Sequence, residues 1–547
     1  MPTITLNKTV FEKLVGKKLP LEQLKDRISM LGTDLEKIED DEIIVEVFPN
    51  RPDMLSEQGF ARAFASFIGV KTGLREYQVK KSGMKVIVDK SVTMRPYTIC
   101  ALVKNLAFTD EKIREMMQIQ EKLATTHGRN RKKSAYGIYP ADKITFPITY
   151  IAKDPAKVLF KPLGFARPVL ASQVLQDHPK GKAYAHVTAG WTKYPFFIDA
   201  KNNVMCMLPF TNSEDTGKVD VNTKDVFVEC TGMDFENVKI ALHILVTMLA
   251  DMGGKIYSIE MVYPDKTIHA PDLTPRKMNL DLEYLNRKLG LKLQEKETVI
   301  LLEKMGFGFE QGRVLIPAYR ADILHQIDLV EDIAIAYGYE NFQAEIPQVS
   351  TIGAEDPLAK FSDKIREIAV GLHLLEVKNY HLLTKEDLTA KMLLTAPPIA
   401  LKNALGDNNH LRNFLLPMLL KNLAENQHHE YPQRIFELGR AFEYDAKSET
   451  GVGEKEKLSI VLAHEEADFT EIKQVLDALI SSLGKNCSVQ ESMHPSFIPG
   501  RVGNIVLDGK NIGIIGEFHP QVLANWNLFM PTVGLELDVE ELFKLLN

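Results

Sequence analysis

Residues 319–338 read Y-R-A-D-I-L-H-Q-I-D-L-V-E-D-I-A-I-A-Y-G. Beside an otherwise apolar helical pattern stand four carboxylates, Asp322, Asp328, Glu331 and Asp332. Three of them occupy i, i+3 and i+4, so on a helix they share one face and repel one another by about 0.2–0.5 kcal/mol per pair. Either that face is wet or something positive sits on it.

The stretch has a copy. Laid without gaps on residues 50–69, N-R-P-D-M-L-S-E-Q-G-F-A-R-A-F-A-S-F-I-G, it places Arg320 on Arg51, Asp322 on Asp53, Leu324 on Leu55, Ala334 on Ala65 and Gly338 on Gly69. Each copy follows a helix ending near a glycine, S-M-L-G at 29–32 and E-K-M-G at 303–306, and then a strand. What the copies share is structural: R-x-D-x-L reads as strand exit, N-cap and helix start, with Asp53 and Asp322 accepting backbone N–H groups. What differs is chemical. Asp328 falls on Gly59, Glu331 on Arg62 and Asp332 on Ala63, so the acidic face belongs to the second copy alone.

At 547 residues the chain exceeds one hydrophobic core, and about three to five domains are expected. With 45% hydrophobic and 25% charged residues it has an ordinary globular composition. Its four cysteines, Cys100, Cys206, Cys230 and Cys487, show no C-x-x-C spacing, which points away from a zinc site or disulfide framework and towards a reducing compartment. The start M-P-T-I-T-L-N-K-T-V lacks a signal-peptide layout, and no run of eighteen apolar residues occurs, so a cytoplasmic protein with no membrane partner is expected. A net charge of −7 excludes a surface that is basic everywhere. The local exception is H-G-R-N-R-K-K at 127–133, either a nucleic-acid contact or a solvated loop.

Four segments are expected: 1–85, alternating short amphipathic helices with strands such as I-I-V-E-V; 86–265, strand- and turn-rich and closed by an apolar helix that stops at Gly253-Gly254; 268–345, opened by A-P-D-L-T-P; and 350–547, mixing helices with long strands. The fold class is multidomain α+β.

Carboxylate oxygens suit a hard cation such as Mg²⁺ or Ca²⁺, and the triad at 328, 331 and 332 converges on one point, with Asp322 as a fourth donor. Mg²⁺, however, is usually held by one or two carboxylates plus waters. A solvated acidic face and a partner chain's arginines satisfy the same spacing. Spacing alone leaves all three open.

Five runs, in order, carry a resemblance that spans the chain: E-V-F-P-N-R-P-D-M-L-S; K-Y-P-F-F-I-D-A with E-C-T-G-M-D; Y-R-A-D-I-L-H-Q-I-D-L-V-E-D-I-A-I-A-Y-G-Y; L-R-N-F-L-L-P-M-L-L-K-N-L-A-E-N; and H-P-S-F-I-P-G-R. The sequence resembles the beta subunits of phenylalanine–tRNA ligase in their shorter archaeal and eukaryotic form. The resemblance implies duplicated helix-turn-helix-like modules at 1–85 and 268–345, the second being the metal-binding domain called B5. It further implies an α/β editing domain at 86–265 and, at 350–547, a class II synthetase catalytic-like antiparallel-sheet domain without an active site.

By the same resemblance, Asp322, Asp328, Glu331 and Asp332 hold Mg²⁺ near the contact with an alpha subunit, in an α2β2 tetramer that binds ATP and tRNA(Phe). The editing pocket, which hydrolyses Tyr-tRNA(Phe), falls on Phe197, Cys206, Glu229 and Thr231. Glu229 would accept the phenol hydrogen and Thr231 orient substrate or water. Against the family pattern the chain has Phe197 for leucine, Cys206 for serine, and Met233 in T-G-M-D where threonine is usual. On their own Phe197 reads as strand core, Cys206 as a small buried hydrophobe and Thr231-Gly232 as a turn.

Adenylate formation needs arginines on the ATP phosphates. V-G-L-E-L-D-V-E-E-L-F-K at 533–544 resembles the glycine-rich third class II motif, but no arginine follows Glu536. Arg412 reads as a relic of the second motif and Arg501 as structural. No catalytic residue for aminoacylation is therefore expected in this chain. Two other readings stand beside the ligase subunit: a tRNA-binding and assembly scaffold with a defunct editing site, and a stand-alone metal-dependent hydrolase built on Asp328, Glu331 and Asp332.

Overall fold

The computed structural model describes residues 2–347 and 353–546. It is a multidomain protein of mixed helices and sheets, in two compact units, Met1–Ile346 and Pro347–Asn547.

Within the first unit, the two copies of the repeat have one element order. The first runs strand Thr3–Asn7, helices Lys8–Val15 and Leu21–Met30, strands Asp34–Glu39 and Glu42–Glu46, helix Glu57–Phe67. The second runs strand Arg276–Asn279, helices Leu282–Leu289 and Glu295–Lys304, strands Gly308–Glu310 and Arg313–Ile316, helix Gln326–Tyr337. In both, the last strand lies central and antiparallel to the other two. Gly32 and Gly306, each with positive φ (90° and 80°), end the second helix of their copy. A Cβ on Gly32 would meet Ile335 at 3.6 Å, and one on Gly306 would meet Ser66 at 3.8 Å. Ser66 and Ile335 are the positions that the repeat aligns, so the copies pack reciprocally, about an approximate two-fold.

The shared motif is not a helix cap. Arg51 donates to both oxygens of Asp53 at 2.9 and 2.8 Å, and Arg320 to both oxygens of Asp322 at 2.8 and 2.7 Å. The cap of helix Glu57–Phe67 is Ser56, whose hydroxyl accepts from Gly59 N. In the second copy His325 stands at the Ser56 position, and Asp328 reaches back to accept from Leu324 N and His325 N, both at 2.7 Å. The reason is burial: Arg51 and Arg320 are 7% and 4% exposed, and an unpaired guanidinium there costs more than an unpaired helix N–H.

Between the copies in sequence lies a ten-stranded mixed sheet, ordered Thr211–Asn212, Val204–Met207, Tyr194–Ile198, Ile148–Lys153, Val79–Val88, Lys255–Val262, Tyr97–Lys104, Val226–Gly232, Ser134–Pro140, with Thr267–Ala270 on Lys255–Val262. Strand Val79–Val88 crosses the junction expected at 85, and Thr267–Ala270, paired with Lys255–Val262, carries the sheet past the segment start expected at 268. The apolar helix Phe235–Asp251, buried along most of its length, packs on Tyr97–Lys104 and Val226–Gly232, and Gly253 follows it at φ 106°.

The second unit is built on a seven-stranded sheet, ordered Leu375–Glu376, Gln433–Tyr444, Val452–Ala463, Thr532–Asp538, Lys510–Phe518, Phe497–Leu507, Ser488–Glu491, antiparallel except for its first pair. Alternation sends Leu458, Ile460 and Leu462 to one face, with helices Pro357–Gly371 and Phe469–Ser482, and Val461 and Ala463 to the other, with helix Leu416–Glu425. No helix among the described residues is long and apolar enough to cross a membrane.

Candidate functional site

Phe197, Cys206, Glu229 and Thr231 are all fully buried in the ten-stranded sheet. Phe197 pairs directly with Cys206 across neighbouring strands. Glu229 and Thr231 stand two apart on strand Val226–Gly232 and so share a face. Four strands separate that strand from Tyr194–Ile198, yet Phe227 meets Phe197 edge-on at 6.2 Å between ring centroids. The sheet is therefore curled, and its concave side gathers Phe197, Cys206, Phe227 and Glu229. Phe197 also stacks on Tyr150 at 4.8 Å.

Glu229 is the charged group at the centre. Burial pushes its carboxyl up to about 8, against the opposing pull of the Arg95 charge and a hydrogen bond from Tyr139. Tyr139 Oη donates to Glu229 Oε1 at 3.2 Å. Glu229 Oε2 is buried without a partner. Gly137 lies opposite Glu229 on the neighbouring strand, where a Cβ would stand 2.5 Å from both Glu229 Oε1 and Tyr139 Oη. Glycine there leaves the space through which Tyr139, two residues on, reaches back to the carboxyl.

Thr231 is engaged elsewhere. Its hydroxyl accepts from Arg95 Nε at 3.1 Å and its carbonyl from Arg95 Nη2 at 2.8 Å. Met233 is about half exposed and turns away from the site. His127 is tied to the Asn237 carbonyl at 3.1 Å, and His186 is exposed. Tyr139, Gly137, Arg95 and Tyr150 are the residues that reading the sequence misses. The available signal was Y-G-I-Y at 136–139, a glycine placed two before a tyrosine on one strand face.

The four carboxylates of the second module line one cleft of about 1380 Å³, whose other walls include Lys122, His127, Arg129 and Lys133. The basic run thus faces the acidic helix. The carboxylates themselves are divided. Arg320 holds Asp322 and also donates to Asp332 at 2.6 Å. Burial pushes both carboxyls up. For Asp322 the Arg320 charge and hydrogen bonds outweigh it and leave the group below its usual range, whereas Asp332 stays above. Asp328 spends one oxygen on two backbone N–H groups, and Glu331 accepts from Tyr339 Oη at 2.7 Å.

A cage of all four carboxylates around one cation does not fit this arrangement. Their oxygens do not converge; among the described residues the carboxylates that do are the surface trio Asp34, Glu36 and Glu46. Asp328, Glu331 and Asp332 each keep one oxygen without a protein hydrogen bond, but Asp332 is held by Arg320 through the other, which leaves Asp328 and Glu331 as the pair without an arginine, and two carboxylates plus water suit Mg²⁺.

In the second unit, Arg412 is fully buried and donates to Glu437 Oε1 at 2.7 Å and to the Arg440 carbonyl at 2.8 Å. Glu536 accepts from Leu415 N, Ser459 Oγ and Lys457 Nζ at 2.7, 2.8 and 2.9 Å. Arg501 pairs with Glu517 at 2.6 Å. Arg412 and Glu536 are consumed by the fold, whereas Arg501, paired with Glu517, stands largely exposed at the surface.

Comparison with known proteins follows the same division. Residues 278–339 match the family profile described as tRNA synthetase B5 domain, and residues 343–539 the one described as phenylalanyl tRNA synthetase beta chain CLM domain. The phenylalanine–tRNA ligase beta subunit of Pyrococcus furiosus is 40% identical over 557 residues, covering all of both chains. The chain belongs to the family of phenylalanine–tRNA ligase beta subunits, components of an aminoacyl-tRNA ligase. The beta subunit of Archaeoglobus fulgidus is likewise 40% identical, over 99% of both chains. A crystallised N-terminal fragment of the Pyrococcus horikoshii beta subunit is 38% identical, with a TM-score of 0.59, covering 61% of this chain and 99% of the fragment. Among beta subunits, then, the chain is matched along its whole length.

Proposed function

We propose that this beta subunit contributes no synthetic site to its ligase: a partner alpha subunit attaches phenylalanine to tRNA(Phe) with ATP, and this chain provides assembly, tRNA contacts and the removal of tyrosine attached in error. The observation that carries the first part is the buried Arg412–Glu437 pair, whose glutamate stands on strand Gln433–Tyr444 of the seven-stranded sheet. With Arg412 committed to Glu437, that candidate motif arginine is not available to the phosphates of an adenylate-forming reaction. In this reading the second unit is a catalytic-like class II domain without chemistry, and the two repeat copies are helix-turn-helix-like modules.

The ten-stranded region is the editing domain. Glu229 is the group that reads the extra hydroxyl: a tyrosyl phenol would pair with the carboxyl, and a phenylalanyl ring would leave a buried acid unpaired, at a cost of about 1–3 kcal/mol. Phe197 and Tyr150 would wall the aromatic slot. Thr231, tied to Arg95, positions its strand instead of touching substrate directly. The alternative, a scaffold with a defunct editing site, draws support from Tyr139, which already sits on Glu229.

Mg²⁺ would be held by Asp328 and Glu331 together with its own waters, and its charge would relieve the repulsion on that helix face. Asp322 and Asp332 belong to Arg320. An α2β2 assembly in the cytoplasm accords with the family.

ATP–pyrophosphate exchange tests the division of labour. The purified chain alone should give no phenylalanine-dependent exchange, and exchange should return on adding the alpha subunit. Activity of the chain alone would refute the assignment. For editing, the complex should release tyrosine from Tyr-tRNA(Phe) in a manner lost in Glu229→Ala.

A further inference from the structure

The same pocket contains a tyrosine of its own. Tyr139 is fully buried, its hydroxyl on Glu229 Oε1 and its ring 5.8 Å from Phe227. Gly137 is the residue that admits it, because a Cβ there would collide with both the hydroxyl and the carboxylate oxygen. Three independent features, the glycine, the hydroxyl and the surrounding aromatic wall, thus place a phenol where a phenol is to be recognised.

We propose that Tyr139 is a resident occupant of the phenol site, donating to Glu229 the hydrogen bond that a tyrosyl ester would supply, so that the pocket is closed to tyrosine while Tyr139 is in place. The proposal rests on the reading of Glu229 as the phenol acceptor. It gives the site a gate: tyrosine is read only when the Tyr139 side chain leaves, and a phenylalanyl group, offering no hydrogen bond in exchange, has nothing with which to displace it.

Replacing the side chain by an external one tests this. In the full-length Tyr139→Gly variant, 4-methylphenol, the tyrosine side chain as a free molecule, should bind and raise the melting temperature, while toluene should bind roughly tenfold more weakly or worse. The wild-type chain should respond to neither. Equal responses of wild type and variant, or of 4-methylphenol and toluene, would overturn the proposal.

Should Tyr139→Gly not fold, Tyr139→Leu, which keeps much of the buried apolar volume, carries the comparison in the complex with the alpha subunit. Its rate of Tyr-tRNA(Phe) deacylation should exceed that of wild type by roughly tenfold, and a measurable rate equal to that of wild type would overturn the gate. The two readings can fail separately. Selective filling of Tyr139→Gly by 4-methylphenol, with no deacylation by any variant, upholds the gate and removes the editing assignment.

Discussion

Tyr139 and Glu229, on adjacent strands of a curled sheet, are joined by a hydrogen bond of 3.2 Å that passes over a glycine, Gly137. The relationship makes Gly137 as much a part of the pocket as the two groups it separates. Gly137→Ala should destabilise the chain by about 1–3 kcal/mol in chemical denaturation, the usual range for overpacking a filled core. Combined with Tyr139→Ala, the same substitution should cost less than the sum, because one of its two clash partners is gone and the Glu229 side chain has room to move aside.

Glu229 also gives the fold a pH dependence with a definite sign. An unfolded glutamate ionises near pH ~4.3, whereas burial holds this one up to about 8. The folded state therefore keeps a proton that the unfolded state gives up, and the stability linked to this group is complete below the lower value and lost as pH rises to the upper one. Glu229→Gln removes that loss. Its melting temperature should exceed that of wild type at pH 8.5 and not at pH 5, by an amount on the order of a few kcal/mol in stability. A constant offset between the two proteins across this range would rule the explanation out.

Among the carboxylates of the second module, two kinds of behaviour are expected. Asp322→Asn strips a buried arginine of a bidentate partner and should destabilise the chain by about 3–5 kcal/mol whether or not Mg²⁺ is present. Asp328→Asn with Glu331→Gln should cost little without the metal and should abolish any rise in melting temperature that Mg²⁺ brings; saturating Mg²⁺ at about 100 times its Kd would be worth about 2.7 kcal/mol in the unaltered chain. Loss of the Mg²⁺ response in Asp322→Asn alone would return the metal to that residue.

Arg412 should behave as a structural residue. Arg412→Met leaves Glu437 charged and buried, so a loss of about 3–5 kcal/mol is expected in urea denaturation of the chain. Arg412→Met with Glu437→Leu should recover most of it. If the single variant were stable but blocked phenylalanine activation by the complex, Arg412 would have a role at the phosphates after all.

How much of this was legible in the sequence depended on distance along the chain. The repeat could be read because its signature is local: Arg51 with Asp53, and Arg320 with Asp322, are partners two residues apart, and a pair that short survives as a pattern. The role of the aspartates was misread for a related reason. An acid near a helix start suggests a cap, and only burial reveals that an arginine has the stronger claim on it. Ser56 then caps the first helix, and Asp328 serves the second because His325 has replaced the serine.

The pocket was harder. Phe197, Cys206 and Glu229 came from the family resemblance, while Tyr139 did not, although its hydroxyl is what Glu229 meets. These residues lie on strands far apart in the chain, and the curl that joins them leaves no periodicity to detect. The burial of Phe197 and Cys206 could be read from their apolar surroundings, but that of Glu229 could not: alternation marks which face a side chain takes, and here both faces of the central strands are covered.

The most direct measurement is the rate at which the complex with the alpha subunit releases tyrosine from Tyr-tRNA(Phe), compared for wild type, Tyr139→Ala and Tyr139→Ala with Glu229→Ala. Slow release by wild type, release faster by roughly tenfold or more in Tyr139→Ala, and its loss in the double variant would place recognition on Glu229 and the gate on Tyr139. Equal and measurable release by all three would contradict both assignments.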